Sequence, residues 1–185
     1  MFMKSFVSVI KEGGVAVIRT DTLYGIVGSA LDQHVVERIY CIKNRDPLKP
    51  VVVLVADYEQ ITSLGAAVTP SLRKDLDQYW PGKVSVILPV NDSSTDTHYI
   101  HKGTGGIAFR IPEDADLRKL IKETGPLVAP SANPEGEPPA RTITEATAYF
   151  GDSVDYYLDG GEVTDTKPST LVRITSSTKV EVLRD

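Results

Sequence analysis

The sequence predicts a single mixed α/β domain, because short apolar runs rich in β-branched residues alternate with amphipathic helical patterns from end to end. A chain of 185 residues suits one domain that buries a sizeable core without disulfides or metal ions. The sequence contains no internal repeat, low-complexity tract or linker that would divide it. We therefore expect residues 1–185 to form one domain.

The first part of the chain predicts two helices and two buried strands. An amphipathic helix covers Lys4–Lys11, and the β-branched run Val15–Arg19 predicts a strand. Asp32 is a favourable N-cap for a second helix, which we expect to end at Pro47 because the residue before a proline avoids helical backbone angles. Val51–Val55 then predicts a second buried strand.

The rest of the chain predicts four helices, five strands and two loops. Glu145 completes a capping box with Thr142 at the start of the last helix. The helical patterns cover residues 58–64, 71–79, 114–124 and 142–150. The apolar runs that predict strands cover residues 84–90, 106–112, 127–130, 169–174 and 179–184. The predicted loops are the polar segment 91–105 and the proline-rich segment 131–142.

Composition limits the classes of function. The net charge of −5 gives no bulk attraction for nucleic acid, so a nucleic-acid site would need a local basic patch. The single cysteine, Cys41, excludes an intramolecular disulfide and fits a reducing compartment, and its helical setting favours burial over catalysis. The sequence has neither a signal-peptide pattern nor the roughly 20 apolar residues of a membrane span. We therefore expect a cytoplasmic protein without membrane partners.

The segment RTDTLYG, residues 19–25, follows the first predicted strand, where open α/β sheets gather ligand groups. Thr20 and Thr22 offer hydroxyls, and Gly25 allows backbone to approach a ligand closely. The alternative is a polar turn whose hydroxyls satisfy local backbone groups, and the segment taken alone favours that turn.

Lys43 and Arg45 precede the second predicted strand. If the chain is extended there, both side chains face the same way, and a lysine charge beside an arginine fork suits a polyphosphate. No glycine-rich P-loop accompanies them. The alternative is a solvated helix C-terminus, where cations meet the helix macrodipole favourably, and this segment alone favours that alternative. We expect the nearby Lys49 to be solvated.

Ser131 and Asn133 stand two positions apart in APSAN, so their polar ends can project to one side. A hydroxyl and a carboxamide can orient a phosphate or a carboxylate, but neither is a strong base. A serine hydrolase is weakly supported, because no neighbouring histidine marks Ser131 as an activated nucleophile.

Arg110 interrupts the apolar run GIAFRIP. A buried cation needs an anion, so this side chain either captures a substrate carboxylate or forms a structural ion pair, and the sequence leaves both open. His98 and His101 resemble a metal pair only superficially, because their loop holds no further histidine or cysteine. We therefore predict no zinc site.

Five segments, in this order, resemble the YrdC-like family of threonylcarbamoyl-AMP synthases: RTDTLYG…KNRD…KPVVVLV, WPGKVSVILP, GIAFRIP, GPLVAPSANPEG and PSTLVRI. The resemblance implies a YrdC/RibB-like fold, a twisted mixed α/β sheet with flanking helices around a deep, positively charged cavity. It also implies that L-threonine, bicarbonate and ATP, the last with Mg²⁺, give threonylcarbamoyl-AMP and pyrophosphate. A tRNA threonylcarbamoyltransferase would receive the product and modify the adenosine next to the anticodon.

The resemblance also implies roles for particular residues. The catalytic set is Lys43, Arg45, Ser131 and Asn133. The threonine contacts are Thr22, Arg110 and Thr170. The ATP contacts are the catalytic set together with Ser85, Ser169 and Arg184. No general base is named, because positioning and charge neutralisation can carry most of the adenylyl transfer.

Two positions depart from the family pattern. Leu54 stands where many relatives carry histidine, and Glu135 stands where serine is common, so one threonine contact and one phosphate contact are in question. The chain stops soon after Arg184, so we expect no second domain. The alternatives are a paralogue that uses another substrate and an RNA-binding module. Weak binding of tRNA or other RNA fits less well, because only 7% of the residues are aromatic.

Overall fold

A nine-stranded mixed sheet organises the described part of the chain, which comprises residues 5–91, 93, 96–176 and 179–185 of the computed structural model. The strands are β1 (Ala16–Arg19), β2 (Tyr24–Ser29), β3 (Val52–Leu54), β4 (Val84–Pro89), β5 (Gly106–Arg110), β6 (Leu127–Val128), β7 (Tyr156–Leu158), β8 (Thr170–Ser176) and β9 (Lys179–Arg184). Their order across the sheet is β7-β1-β2-β6-β3-β5-β4-β8-β9. Three neighbouring pairs, β1–β7, β3–β5 and β4–β8, are parallel, and the other pairs are antiparallel.

Helices connect and cover the strands, which confirms the predicted α/β class. They are α1 (Phe6–Lys11), α2 (Gln33–Lys43), α3 (Tyr58–Ser63), α4 (Pro70–Leu76), α5 (His98–His101), α6 (Ala115–Thr124) and α7 (Ile143–Phe150). Side chains that accept backbone N–H bonds fix the starts of most of them, as at Asp32 for α2 and Asp114 for α6. None of the described helices is long and apolar enough to cross a membrane.

The two faces of the sheet carry different cores, because successive side chains of a strand point to opposite sides. In β1, Val17 belongs to the larger core, whereas Ala16 and Ile18 belong to a smaller one. Helices α1 and α6 supply the rest of the smaller core, including Phe6 and Ile121. We call the side of the sheet that faces α1 and α6 the α1/α6 face.

Only part of the α1/α6 face is covered by these helices. The smaller core rests on β1, β2, β3 and β6. On β5, β4 and β8, the larger core includes Phe109, Val86 and Val172, so the residues on either side of each of these point to the α1/α6 face. That part of the face forms the floor of a cavity.

The structure adds three elements that the sequence did not predict. Strand β2 begins at Tyr24, inside the segment 19–25 that taken alone favoured a turn, and its Gly28 lies where helix α2 packs so closely that a Cβ atom would collide with Val35. Strand β7 is a short edge strand, and α5 is a single helical turn inside the predicted loop 91–105. Lys4, at the start of the first predicted helix, lies outside the described residues, as do residues 92, 94 and 95 of that loop.

The end of α2 corrects two further predictions. The helix stops at Lys43 rather than continuing to Pro47, because Asn44 adopts a left-handed conformation with φ of 51°. Cys41 is exposed rather than buried, because α2 turns Ile39 and its other apolar residues towards the core.

The predicted capping box at α7 forms only in part. Thr142 accepts a hydrogen bond from the backbone N–H of Glu145. The carboxylate of Glu145 accepts from the backbone N–H of Arg141, one residue before the expected donor. Two side-chain hydrogen bonds thus fix the start of the helix, and the one accepted by Glu145 comes from a residue one position earlier than in a standard capping box.

Candidate active site

A cavity of about 810 Å³ lies over the part of the α1/α6 face that the helices leave open. Its size suits a small-molecule site. Its floor is formed by side chains of β3, β5, β4 and β8, namely Val52, Ala108, Arg110, Ile87, Pro89, Leu171 and Arg173. Its walls come from loops and from β9, and include Thr20, Thr22, Arg45, Val51, Ser131, Ser169 and Arg184. The described lining residues include four arginines and neither aspartate nor glutamate.

Arg110 forms a structural ion pair, which is one of the two roles that its sequence left open. Its Nη1 lies 3.0 Å from Oδ1 of Asp21 and donates to the hydroxyl of Thr22 at 3.0 Å, and both charged side chains are only 5% exposed. The guanidinium nevertheless lines the cavity. Burial lowers the pKa of Arg110, Asp21 opposes that shift, and the neighbouring cation of Arg184 adds to it. A carboxylate that entered here would meet a cation whose orientation is already fixed.

Thr22 is positioned by the turn that we considered as its alternative role. Its hydroxyl lies 3.2 Å from that of Thr20, and the hydroxyl of Thr20 donates to the carbonyl oxygen of Leu23 at 2.7 Å. The turn therefore uses Thr20 for backbone satisfaction and leaves Thr22 between Arg110 and the cavity.

Lys43 does not project into the cavity beside Arg45. It is buried at the last position of α2, and its ammonium donates to the carbonyl oxygens of Ser131 and Asn133. Burial lowers the pKa of Lys43 to about 7, the cation of Arg45 adds to this, and Glu135 opposes it. Extended backbone would have aligned the two cations, but the left-handed Asn44 between them separates their directions.

Arg45 lines the cavity from the loop after α2. One terminal nitrogen donates to the carbonyl oxygen of Pro50 at 2.8 Å, and the guanidinium lies 5.6 Å from the centre of the Tyr40 ring. Within the described residues its buried Nε has no hydrogen-bond partner. The side chain is thus held at the cavity, with a buried Nε that no described group satisfies.

Ser131 and Asn133 do project to the same side, as their spacing predicted. The hydroxyl of Ser131 donates to Oδ1 of Asn133 at 2.6 Å. The amide nitrogen of Asn133 donates to the carbonyl oxygens of Pro134 and Glu137. Ser131 lines the cavity, whereas Asn133 lies behind it and orients its hydroxyl.

The predicted contacts late in the chain fall into two groups. Ser169 and Arg184 line the cavity, and Nη2 of Arg184 donates to the carbonyl oxygen of Ser169 at 2.8 Å. Ser85 is fully buried beneath them, with its hydroxyl 2.9 Å from that of Ser169. Thr170 does not line the cavity: its hydroxyl donates to Asp185 at 3.3 Å, because strand alternation turns it away from Ser169.

The two departures from the family pattern have structural roles. Leu54 of β3 is fully buried in the smaller core, and its partner on the neighbouring strand β5 is Arg110. Glu135 pairs with Lys49 and accepts from the backbone N–H of Asp46 at 2.6 Å. Lys49 is therefore not simply solvated, and the pair joins the loop that carries Arg45 to the loop that carries Ser131.

Sequence reasoning missed two charged residues of this region, Asp21 and Arg173. Asp21 stands between Thr20 and Thr22, and its pairing with Arg110 requires the turn between β1 and β2 to lie near the end of β5. Arg173 shares the strand face of Ser169 and Leu171, so the period-two pattern of STLVRI was the available signal.

One histidine of the rejected zinc pair, His101, holds a loop in place. Nδ1 of His101 accepts from the backbone N–H groups of Gly103 and Gly105, at 3.1 and 3.3 Å. Thr104 and Gly105 line the cavity, so this histidine shapes one end of the site. In the described part of the chain, no three histidine, cysteine or acidic side chains are grouped to hold a metal ion.

Comparison with known proteins identifies the family. A Sua5/YciO/YrdC family model, described as telomere recombination, matches residues 8–185. The threonylcarbamoyl-AMP synthase of Marinobacter nauticus is 31% identical over 167 residues, which cover 89% of this chain and 87% of that protein. These matches confirm the resemblance that the sequence motifs indicated.

Solved structures agree with this assignment. The structure of Pyrococcus abyssi Sua5 complexed with L-threonine matches with a TM-score of 0.86 and 28% identity, over 96% of this chain. The chain spans about half (52%) of the length of that Sua5 chain. Escherichia coli YciO, with 21% identity and a TM-score of 0.82, supports the fold alone. Since the family model covers all but the first residues, this chain belongs to the Sua5/YciO/YrdC family.

Proposed function

We propose that this chain is a threonylcarbamoyl-AMP synthase, a nucleotidyltransferase that converts L-threonine, bicarbonate and ATP to threonylcarbamoyl-AMP and pyrophosphate. One observation carries the proposal: three guanidinium groups and three hydroxyls from separate segments meet around one cavity, namely Arg45, Arg110, Arg184, Thr22, Ser131 and Ser169. Relatives of similar length are named for this activity, and a Sua5 structure contains L-threonine.

Arg110 and Thr22 are suited to hold the amino acid. The fixed guanidinium offers a fork for a carboxylate, and its pairing with Asp21 keeps the cation oriented before substrate arrives. We propose that the threonine amine then lies over the floor of the cavity, towards the remaining arginines.

The reaction then needs two bond-forming steps. The amine attacks the carbon of bicarbonate, water is lost, and a carbamate forms. A carbamate oxygen next attacks the α-phosphorus of ATP, the bond from that phosphorus to the bridging oxygen breaks, and pyrophosphate leaves. Arg45, Arg184 and the hydroxyl of Ser131 can stabilise the charge on the phosphates, so positioning and electrostatics carry the transfer.

Mg²⁺ fits this site as a companion of ATP rather than as a resident cofactor. The described cavity lining offers no carboxylate, and Asp21, which pairs with the lining residue Arg110, also accepts from the backbone N–H of Glu113 at 2.9 Å. Hard cations prefer oxygen ligands, which here the phosphates themselves would supply. We therefore propose that the ion enters bound to the nucleotide.

A single assay tests the proposal. The purified chain is incubated with ATP, Mg²⁺, bicarbonate and L-threonine; pyrophosphate is followed continuously and threonylcarbamoyl-AMP is identified by mass spectrometry. We expect both products, and neither when threonine or bicarbonate is omitted. Release of pyrophosphate that does not depend on threonine would refute the assignment. L-Serine in place of L-threonine tests for a paralogue with another substrate.

The product defines the downstream partner. Threonylcarbamoyl-AMP is an activated acyl adenylate, so we propose that a tRNA threonylcarbamoyltransferase in the cytoplasm consumes it. Adding such a transferase and tRNA to the assay should yield threonylcarbamoyladenosine. Direct tRNA binding by this chain is not required, and a gel-shift assay at physiological salt would detect it.

A further inference from the structure

Arg173 lines the cavity but none of the roles above uses it. It lies on β8, where the sheet register pairs it with Ile87 of β4, and Ile87 pairs in turn with Ala108 of β5. All three side chains point to the cavity. Arg173 is therefore part of the floor rather than of a mobile rim.

The register also fixes how far Arg173 lies from the threonine end. Leu171, two residues earlier on β8, pairs with Ser85 and with Arg184, and Ser85 is the β4 residue next to Arg110. Two strand spacings and one two-residue step separate the Cα atoms of Arg173 and Arg110, which amounts to about 12 Å. Because Asp21 and Thr22 hold the guanidinium of Arg110, the two arginines can bind separate anionic groups or the two ends of one extended anion.

The two arginines also differ in how closely a protein carboxylate balances their charge. Arg110 is buried and 3.0 Å from Asp21, so its charge is largely balanced within the protein. Arg173 is 47% exposed, and its ion pair with Glu181 is long, at 3.9 Å. Its guanidinium is therefore available to an anion in the cavity. Of the three proposed substrates, only ATP carries a chain of anionic groups, and those groups are its phosphates.

We propose that Arg173 binds the β- and γ-phosphates of ATP, which leave as pyrophosphate, while Arg110 and Thr22 hold threonine at the other end of the cavity. This assignment rests on the proposed function. It places the attacked α-phosphorus between the two ends, within reach of Arg184. The leaving group then departs along the floor, away from the acyl adenylate.

Equilibrium binding of ATP, AMP and inorganic pyrophosphate tests the assignment. We expect Arg173→Gln to weaken ATP and pyrophosphate roughly tenfold, because a charge-assisted hydrogen bond is lost, and to leave AMP unchanged. Arg173→Lys should recover part of the loss. Glu181→Gln is the matched control, since it removes the same cross-strand ion pair without removing the cation.

Each outcome discriminates. Unchanged ATP and pyrophosphate affinities in Arg173→Gln, equal losses for AMP and ATP, or the same loss in Glu181→Gln would each overturn the assignment. Thermal unfolding of both variants checks that the fold persists. If the native chain makes threonylcarbamoyl-AMP while Arg173→Gln binds ATP normally, only this inference fails. If the native chain binds neither ATP nor pyrophosphate, the proposed function fails with it.

Discussion

One face of one sheet is used in two ways in this molecule. Over β1, β2, β6 and β3, the side chains on the α1/α6 face are apolar, as with Ile18 and Val27, and helices α1 and α6 cover them. Over β5, β4 and β8, the same face carries Arg110 and Arg173 beside apolar residues such as Ile87 and Leu171, and it forms most of the cavity floor. The boundary falls between two paired residues, Leu54 of β3 and Arg110 of β5.

The difference shows how strand alternation divides stability from binding. Apolar groups on the covered part stabilise the fold by about 25 cal/mol for each Å² removed from water. Charged groups on the open part cannot be covered by an apolar helix without a large desolvation cost, so that part of the face stays open to the cavity. Side-chain chemistry at alternate positions therefore decides where helices pack and where a substrate enters.

The largest effect on activity should follow from removing the cation of Arg110, which lies at the boundary between the two parts of the face. The double variant Arg110→Met with Asp21→Asn should lower kcat/KM for threonine roughly a hundredfold or more, because the carboxylate loses its charged partner. Steady-state kinetics with threonine as the varied substrate measure this. A double variant that folds and keeps the native kcat/KM for threonine would contradict the role of Arg110.

The single variants serve as controls for that experiment. Arg110→Met alone leaves the carboxylate of Asp21 buried without a counter-ion, which should cost about 3–5 kcal/mol of unfolding free energy. The double variant removes both charges and should recover most of that loss. Urea unfolding of the single and double variants thus separates loss of stability from loss of threonine binding.

The next largest effect should be a loss of stability when a residue on the covered side of the boundary is truncated. Leu54→Ala should lower the unfolding free energy by about 2–5 kcal/mol, because it leaves a cavity beneath α1 and α6. Leu48→Ala is the control: Leu48 is 75% exposed, and the change should stay within about 0.5 kcal/mol. A raised KM for threonine in Leu54→Ala without loss of stability would instead place Leu54 in the site.

A smaller effect should appear as a dependence of stability on pH. The pKa of Lys43 is about 7 in the folded chain and lies below its ordinary value of 10.5. Between these values the unfolded chain binds the extra proton, so the unfolding free energy should rise with pH, by a few kcal/mol at most. Urea unfolding of the native chain and of Lys43→Met, at pH 6.5 and at pH 9, measures the difference.

The pH experiment has its own control. Lys74→Met removes a lysine from the exposed surface of α4 and should leave the slope of the native chain unchanged. Equal slopes in the native chain and in Lys43→Met would show that Lys43 keeps an ordinary pKa, with its ammonium charged among the carbonyl groups.

The smallest effect should come from the exposed pair of Lys49 and Glu135. Glu135→Gln should raise the KM for ATP only slightly, because exposed ion pairs contribute little and salt screens them. The difference from the native chain should disappear in molar sodium chloride. A larger effect that persists in high salt would place Glu135 in direct contact with the nucleotide.

Local patterns in the sequence predicted the parts of this site that depend on one strand or one turn. The spacing of Ser131 and Asn133 was enough to bring their polar ends together, and the break in an apolar strand was enough to mark Arg110. The predicted direction of the Lys43 side chain was wrong because Asn44, the next residue, has a left-handed backbone conformation, which periodicity does not reveal.

Features that depend on packing between distant elements were not predictable in this way. Strand β2 was missed because its glycines are typical of turns, although Gly28 is needed for the close packing of α2. Asp21 becomes a site residue only when β5 lies near the turn after β1. The fold as a whole was recognised because the order of five motifs carries information that no single motif holds.

Lys43 has a consequence for motion at the cavity. Its ammonium ties α2 to the backbone around Ser131 and Asn133, and the N–H of Glu135 donates to the carbonyl oxygen of Lys43 itself at 2.8 Å. The end of α2 with the loop that follows it, and the loop that carries Ser131 and Asn133, should therefore open as one cooperative unit in amide hydrogen exchange. A nucleotide that contacts only Arg45 should therefore also slow amide hydrogen exchange in the loop that carries Ser131 and Asn133.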